Sequence, residues 1–492
     1  MKKRVLLIGF YQEKVLGVRY LSAACQAGGY EPHILIFKRF HSRAPAPCTE
    51  KELSLLEELV SELDPCFIGL SVMSSLYLET VLRVSGRLRG RGIPVGWGGV
   101  FPTLEPERCA PFCDMVLRGE GERTLPELLD RLNGGGDWKG IPGLTWLEGG
   151  RLQSNPLPAL EQNLDRLDYP PPGEGRVCLI EGGRLSRGDP QMKSFTYELC
   201  ASRGCPFQCS YCSAVNLRRL YPGQRFVRFR GVDHVIEELK EAKRRIPHLK
   251  VVHFWDEIFS DAVGWVEEFA DRYQAEIGLP FRIWGHPLKV DERAIRRLVR
   301  AGLHQIVVGI QSGSPRVRRE VFHRYETQEQ ILECAAVLKR CQVPRIVYDL
   351  MLLHPFEEES DREETLRLCL RLPGRFELEL HGLNFLPATD IVDMALKQGV
   401  LSAENMEKRL YGSLEEQYGQ YWGRGDQSWR EDPWIALIYL SQFHKERGRV
   451  ERWAAELRSG GEAAAAFEAR DRRERLERFG DLLRKGKLLL GK

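Results

Sequence analysis

Two successive alternations of short apolar runs with helix-period segments constrain this chain more than any other feature. The first runs RVLLIGF, a helix from about Val18, PHILIF, a helix from about Glu50, CFIGLSV, a helix from about Leu78, PVGWGG, and MVLRGEGE followed by a helix near Leu125 to Leu132. Strands separated by helices in this rhythm imply a parallel sheet covered on both faces. Residues 1–135 therefore predict a Rossmann-like α/β domain.

The second alternation begins near Ser194 with SFTYEL, followed by a helix after a group of cysteines, KVVHFW, a helix from Val263, FRIWGH and a helix around Ala294 to Ala301. HQIVVGI, two helices reaching Arg340, RIVYDLMLL, a helix from Arg362 and ELHGLNFL complete it. A closed eightfold barrel takes about 250 residues, so residues 194–389 predict an open, partial (β/α)6 barrel with functional residues at the C-terminal ends of its strands. Between the two alternations, residues 136–193 break into Gly- and Pro-rich sequence such as GGGDWKG and YPPPGEG, which reads as an irregular linker with room for a small hairpin. Beyond Asp390 no strand pattern survives, so residues 390–492 predict a helical region, with a solvated, salt-bridged helix in the Ala-, Glu- and Arg-rich tail from Gly460 to Lys492.

Lysines and arginines number 72 against 69 acidic residues, and a net charge of +3 over 492 residues argues against nucleic acid as a partner. The opening MKKRVLLIGF has a short apolar run with no small-residue cleavage site after it, and reads as a first strand rather than a leader. The longest apolar candidate, Pro433 to Phe443, is about half of what a transmembrane helix requires. The expectation is a soluble, cytoplasmic protein. Thirteen cysteines, an odd number mostly scattered, do not make a disulfide framework, and most read as small buried hydrophobes in a reducing compartment.

Three cysteines are grouped differently. SRGCPFQCSYC places Cys205, Cys209 and Cys212 at spacing C-x3-C-x2-C directly after the first strand of the second alternation. Thiolates are soft ligands suited to iron–sulfur clusters, and three ligands on a four-iron cluster leave one iron open to chelate a small molecule. Pro206 forbids a continuous helix through the motif and Gly204 permits an unusual turn, so a loop can wrap a cluster. The competing readings are coincidental buried cysteines, or a zinc site completed by a distant ligand. Zinc sites normally use paired C-x2-C units, and no second pair lies nearby.

This segment resembles the radical SAM superfamily, whose motif has this spacing with an aromatic residue before the third cysteine, here Tyr211. The resemblance implies a [4Fe–4S] cluster on the three cysteines whose open iron holds S-adenosylmethionine. An electron from a flavodoxin- or ferredoxin-type donor would then yield a 5′-deoxyadenosyl radical. HFWDEIFS and VVGIQSGS resemble the superfamily's second- and fourth-strand motifs, which implies S-adenosylmethionine contacts from Tyr211, Asp256, Glu257, Gln311 and Ser312. A glutamate is usual where this chain has Gln311. Arg282, Trp284 and His286, and Tyr348 and Asp349, alternate so that some side chains point inward, though a lone histidine or tryptophan there is more often core.

A Rossmann-like domain ahead of such a barrel, with GWGGVFPT over residues 96–103 and LRGEGE over 117–122, resembles the cobalamin-binding class of the superfamily. Gly98 and Gly99 follow a strand, where absent side chains let a nucleotide tail approach, and Ser71-Val72-Met73 ends another. The resemblance implies cobalamin contacts from Gly17, Ser71, Met73, Gly98, Gly99, Thr103, Glu120 and Gly121. Carriers that ligate cobalt from below use D-x-H-x-x-G. Here the matching stretch is QEKVLG, with Lys14 in the histidine position, and a protonated lysine is a poor metal ligand.

The function implied is cobalamin-dependent radical methylation of an unactivated carbon in a small-molecule or lipid-like substrate, with no catalytic side chain identified. The runner-up is radical ring formation, rearrangement or oxidation without methyl transfer. A rival from another class is a cobalamin-binding sensor or carrier with a structural metal site. Tyr411, Tyr418, Tyr421, Trp422, Trp429 and Trp434 are an aromatic group that could cover the barrel mouth, against the commoner reading of packing.

Overall fold

A computed structural model describes residues 3–39, 46–173, 176–260, 262–420, 431–459 and 465–477. The chain divides into two compact units, the first comprising residues 1–283, 300–302 and 385–418, the second 284–299, 303–384 and 419–492.

The first unit contains the first alternation as strands β1 (Arg4–Phe10), β2 (Glu31–Phe37), β3 (Phe67–Ser71), β4 (Val95–Gly98) and β5 (Met115–Leu117). Helices α1 (Leu16–Ala27), α2 (Glu50–Leu63), α3 (Leu78–Leu88), the short α4 (Val100–Leu104) and α5 (Pro106–Cys109), and α6 (Gly121–Gly134) separate or follow them. The five strands are parallel in the order β5-β4-β3-β1-β2. Apolar residues on both faces explain this burial: Leu6, Ile8, Leu35 and Leu70 belong to one core, and Val5, Leu7, Ile34 and Phe67 to the other. Helix α2 begins with a capping box in which the Thr49 hydroxyl accepts from the Glu52 N–H and Glu52 accepts from the Thr49 N–H.

Where the sequence reads as an irregular linker, the structure has two hairpins. Strands β6 (Leu144–Glu148) and β7 (Arg151–Ser154) extend the sheet beyond β5, while β8 (Arg176–Glu181) and β9 (Arg184–Arg187) extend it beyond β2. The full order is β7-β6-β5-β4-β3-β1-β2-β8-β9. Both turns are Glu-Gly-Gly-Arg. The paired glycines have φ of 57° and 77° at Gly149 and Gly150, and 58° and 68° at Gly182 and Gly183, as a two-residue turn with two left-handed positions requires. Glu148 faces Arg151 and Glu181 faces Arg184 across the two ladders.

In the second alternation, β10 (Thr196–Leu199) pairs in parallel with β13 (Val251–Phe254), and β13 with β14 (Phe281–Gly285). A two-stranded ribbon, β11 (Ser202–Arg203) against β12 (Arg228–Phe229), flanks helix α7 (Ser213–Arg219), and α8 (Val232–Arg245) and α9 (Val263–Arg272) follow. In the second unit, β15 (Leu303–Gln311), β16 (Arg345–Met351) and β17 (Glu377–His381) run parallel. Helix α10 (Glu292–Ala301) precedes β15, with α11 (Gln328–Arg340) and α12 (Glu359–Arg371) between the strands. These six strands and their helices are the partial (β/α)6 pattern.

The described residues after Asp390 are helical: α13 (Asp390–Lys397), α14 (Ala403–Tyr411), α15 (Leu414–Gln420), Pro433–Ser441 and Arg447–Arg458. Of the tail from Gly460, residues 465–477 are described and contain a helix. Tyr421, Trp422 and Trp429 and the side chain of Tyr418 lie outside the described residues. Trp434 is 4% exposed and is packing. No described helix is long and apolar enough to cross a membrane.

The hairpin at β8–β9 is locked to α1 by a buried bidentate pair, Arg19 to Asp189 at 2.7 and 2.8 Å, with Asp189 also accepting from the Gln191 N–H at 2.9 Å. Burial raises the Asp189 carboxyl, but Arg19 and the backbone donors outweigh it and hold it below its ordinary value. A depressed carboxyl stabilises the fold above its unfolded pKa of about 3.9, and that stability is lost as pH falls through the folded value. Asp189→Asn should cost about 3–5 kcal/mol at neutral pH, because it leaves the Arg19 charge buried without its counter-ion. The check is the urea midpoint, whose difference from wild type should shrink in acid below the ordinary aspartate range.

Candidate active site

The carboxyl ends of β1, β3, β4 and β5 open onto a cavity of about 1180 Å3 within the first unit. In an open parallel sheet the strand ends leave such a crevice at the point where the order reverses, here between β1 and β3. All the positions expected to contact cobalamin line it: Gly17, Ser71, Met73, Gly98, Gly99, Thr103, Glu120 and Gly121. Its volume exceeds the roughly 300–1,000 Å3 usual for drug-sized ligands and suits a macrocycle with a nucleotide tail.

Local backbone chemistry makes this cradle. Gly99 has φ of 111°, and a Cβ there would come within 2.7 Å of the Val72 carbonyl oxygen, so the β4 loop is pressed onto the β3 loop as only glycine allows. Thr103, 2% exposed, donates its hydroxyl to Gly99 O at 2.7 Å and accepts from the Gly119 N–H at 3.0 Å. It braces the loops after β4 and β5. A Cβ on Gly17 would meet nothing within 4 Å, so that position faces open space.

The far wall comes from the second alternation: Glu198, Cys200, Arg203, Gly204, Trp255 and Glu257 all line the same cavity. An ion network joins the walls. Arg203 pairs with Glu122 at 2.6 Å and Glu120 at 3.3 Å, and Arg228 grips Glu120 with two bonds of 2.6 and 2.9 Å. Burial raises the Glu120 carboxyl, but Arg228 and Arg203 more than reverse this and keep it ionised. Residue periodicity does not reveal this network, although Arg203 lies inside the cysteine motif and Arg228 in the basic stretch RFVRFR.

The cysteine loop is rooted in this wall. Gly204, with φ of 92°, leaves no room for a Cβ, which would lie 2.5 Å from Phe226 O. The Cys212 N–H donates to Cys209 O at 3.1 Å, turning the loop so that Cys212 caps α7. Arg218, on α7, donates back to Pro206 O at 2.8 Å. Cys209 is buried, Cys205 and Cys212 are half-buried, and none of the thirteen cysteines is in a disulfide. Burial and the neighbouring thiols push Cys205 up to about 12. Iron would reverse that, since a bound cation drives a coordinating thiol to thiolate. Three soft sulfurs on one loop, the last at the N-terminus of α7, are a donor set that fits an anionic cluster with one iron left for another ligand. Cys200 lies outside the motif, and its thiol donates to Trp255 O at 3.4 Å.

The remaining expected residues fall in different settings. Tyr211 is half-buried within the cysteine loop. Asp256, 2% exposed, accepts from the Ala201 N–H at 3.1 Å and from the Ser202 hydroxyl, and burial pushes it up to about 7. It holds β11 in place, while Glu257 faces the cavity, its carboxyl raised by desolvation. In the second unit, Gln311 sits at an irregularity of the β15–β16 ladder with φ of 68° and donates to Asp349 Oδ2 at 3.3 Å. The other Asp349 oxygen lies 2.6 Å from His381 Nε2. Ser312 is fully buried, its hydroxyl accepting from the Ser314 N–H at 3.1 Å. Tyr348 is a buried core residue, and His286, also buried, accepts from the Leu288 N–H at 3.2 Å. His381 on β17 is a polar neighbour that motif spacing misses.

Comparison with known proteins agrees with this geometry. The radical SAM superfamily model matches residues 199–369 and the B12 binding domain model residues 10–129. An uncharacterized methyltransferase of Pyrococcus horikoshii is 27% identical over 72% of this chain and 74% of its own length. Cytidylyl-2-hydroxyethylphosphonate methyltransferase of Streptomyces wedmorensis is 23% identical over 63% of each chain. The fold is shared with the radical S-adenosylmethionine methyltransferase TsrM of Kitasatospora setae, solved with cobalamin and a [4Fe–4S] cluster, at TM-score 0.63 and 18% identity over 81% of this chain and 78% of that one. With both family models matched on one chain, in the order of the two alternations, this protein belongs to the radical SAM enzymes that carry a cobalamin-binding domain and use a [4Fe–4S] cluster, S-adenosylmethionine and cobalamin.

Proposed function

We propose that this enzyme transfers a methyl group to an unactivated carbon of a small-molecule or lipid-like substrate. The observation that carries the reading is the shared cavity, in which the glycine-lined sheet edge and the root of the cysteine loop face each other within one wall-to-wall space. The methyltransferase names of the two curated relatives support it, and this chain spans 74% and 63% of their lengths. When bound, the cluster with S-adenosylmethionine supplies a carbon radical, and cobalamin supplies a methyl carrier.

The chain's own residues bind and orient these groups. Cys205, Cys209 and Cys212 hold the cluster, while Tyr211, Glu257, Gln311 and Ser312 serve S-adenosylmethionine and Asp256 braces the loop beneath it. Gly17, Ser71, Met73, Gly98, Gly99, Thr103, Glu120 and Gly121 hold cobalamin. Lys14 lines the cavity with its ammonium donating to Ser194 Oγ at 2.6 Å and to Thr196 O and Oγ1 at 3.3 Å, so it offers cobalt no lone pair. Leu160, Leu164 and Leu167 line the same space and exclude water. The thiols without disulfides support a reducing, cytoplasmic setting, where a flavodoxin- or ferredoxin-type protein would supply the electron.

Two measurements test this reading. Anaerobically reconstituted enzyme, given reductant and S-adenosylmethionine, should release 5′-deoxyadenosine; Cys209→Ala should abolish that release, whereas Cys200→Ala should keep its full complement of iron and sulfide. With candidate metabolites, the product should gain one methylene in mass, and substrate consumed without that gain would overturn methyl transfer. Gly99→Ala places a methyl group against the Val72 carbonyl at a strained φ, so it should weaken cobalamin retention on gel filtration at least about tenfold while leaving cluster iron unchanged.

A further inference from the structure

Residues 385–418 follow the last strand of the second alternation but belong to the first unit, where they touch two separated places. At one end they meet the cysteine loop. The Ile391 N–H donates to Ser210 O at 3.0 Å, and Ser210 lies between Cys209 and Cys212. Arg219, on the helix that Cys212 caps, makes a two-bond pair with Asp390, one bond at 2.8 Å, and Asn216 donates to Ala388 O. At the other end the segment meets the cobalamin-binding domain. The Tyr411 hydroxyl donates to Glu105 Oε2 at 2.5 Å, and Arg108 lies over the Tyr411 ring at 3.7 Å while pairing with Glu407 at 3.0 Å. Leu414, 1% exposed, is part of the sheet's core with Val72 and Phe101, and its N–H donates to Glu79 at 2.9 Å.

We propose that this segment is a strap in which Asp390 and Ile391 act as positioning residues, fixing the cysteine loop at a set distance from the cobalamin cavity. The inference rests on the reading of Cys205, Cys209 and Cys212 as cluster ligands. Its physical basis is that Ile391 is the second residue of α13, where a backbone N–H has no partner inside the helix and is available to the loop. Ser210 O takes that donor, so the helix start and the cluster loop move together. The other end is anchored by burial of Leu414 in the sheet core, so the strap is held by packing there and by directed bonds at the loop. Reacting groups held in two separate sites tolerate displacements of only about 0.5 Å, so a strap of this kind bears on function without contributing a group to either site.

The test uses the full chain, reconstituted with cluster, loaded with cobalamin and reduced so that cluster and cobalt each carry an unpaired electron. Pulsed electron paramagnetic resonance then reads the distance distribution between them. Ile391→Pro removes the N–H in the first turn of the helix, where that group has no intrahelical partner to lose, and Ile391→Ala is its control, because it trims the side chain and keeps the N–H. Asp390→Arg sets two cations against each other, and the Arg219→Asp/Asp390→Arg double variant restores the pair in reverse. We expect a distribution about twofold wider in Ile391→Pro and Asp390→Arg, with wild-type width in Ile391→Ala and in the double variant. Loss of cluster iron from Ile391→Pro alone, with cobalamin retained and Ile391→Ala intact, supports the strap equally. Wild-type distributions in both disruptive variants would overturn it. A wild-type chain that takes up no cluster iron would instead overturn the cysteine reading beneath it.

Discussion

The guanidinium of Arg203, set between Glu120 and Glu122, is the contact on which the site depends. Strand β11 pairs with β12 so that Arg203 stands directly opposite Arg228, and like charges in that register repel. The two glutamates make the register tolerable. They sit at the start of α6, where unpaired N–H groups and the helix dipole already favour negative charge, so the carboxylates are stabilised from two sides. Buried ion pairs carry a desolvation cost that incomplete pairing cannot recover, and here Glu120 receives two bonds from Arg228 while Arg228 also reaches Glu161 O at 2.8 Å. Because Arg203 is two residues ahead of Cys205, the cysteine loop starts from a fixed point in the cavity wall. The glutamates of the RGEGE stretch thus act on the loop as well as on the space beside it.

Much of the fold is legible in the sequence because its signals are local. Strand and helix periods appear within a few residues of one another, and a thiolate motif depends on spacing alone, so β1 to β5, the later strands and Cys205, Cys209 and Cys212 can be read directly. The hairpins were also written locally, in the repeated Glu-Gly-Gly-Arg of residues 148–151 and 181–184, but Gly-rich flanks made the same glycines read as loop. Asp256 and Glu257 show a different limit. Adjacent residues at a strand end point to opposite sides, so a motif naming both cannot say which faces the cavity. Glu257 does, and Asp256 turns inward to Ala201 and Ser202.

Contacts between distant residues leave no such trace. Tyr411 reaches Glu105 across 306 positions, and Gln417 donates to Ser75 O across 342. Nothing in the helical period of α14 or α15 selects those partners, and the aromatic residues of this region read equally as a cover for the barrel. The structure places residues 403–417 in the first unit, where Leu414 joins the apolar core of the sheet. The entropic cost of closing so long a loop grows only logarithmically with its length, so a few well-buried side chains can hold it.

The roof of the cavity follows from strand order. The chain leaves β7 at one edge of the sheet and must enter β8 near the other, with β6, β5, β4, β3, β1 and β2 between them. Seven steps at about 4.8 Å give a crossing of roughly 34 Å. β7 is antiparallel to β6, which is itself antiparallel to β5, so β7 ends at the same edge as the carboxyl ends of the parallel strands; β8, parallel to β2, begins at the opposite edge. The connection therefore starts on the side where the crevice opens and has to cross it before descending. Leu160, Leu164 and Leu167 lie on this crossing and line the cavity. A stretch whose composition resembles a tether is thus made into a cover by topology, and its leucines supply the apolar surface that radical chemistry requires against water.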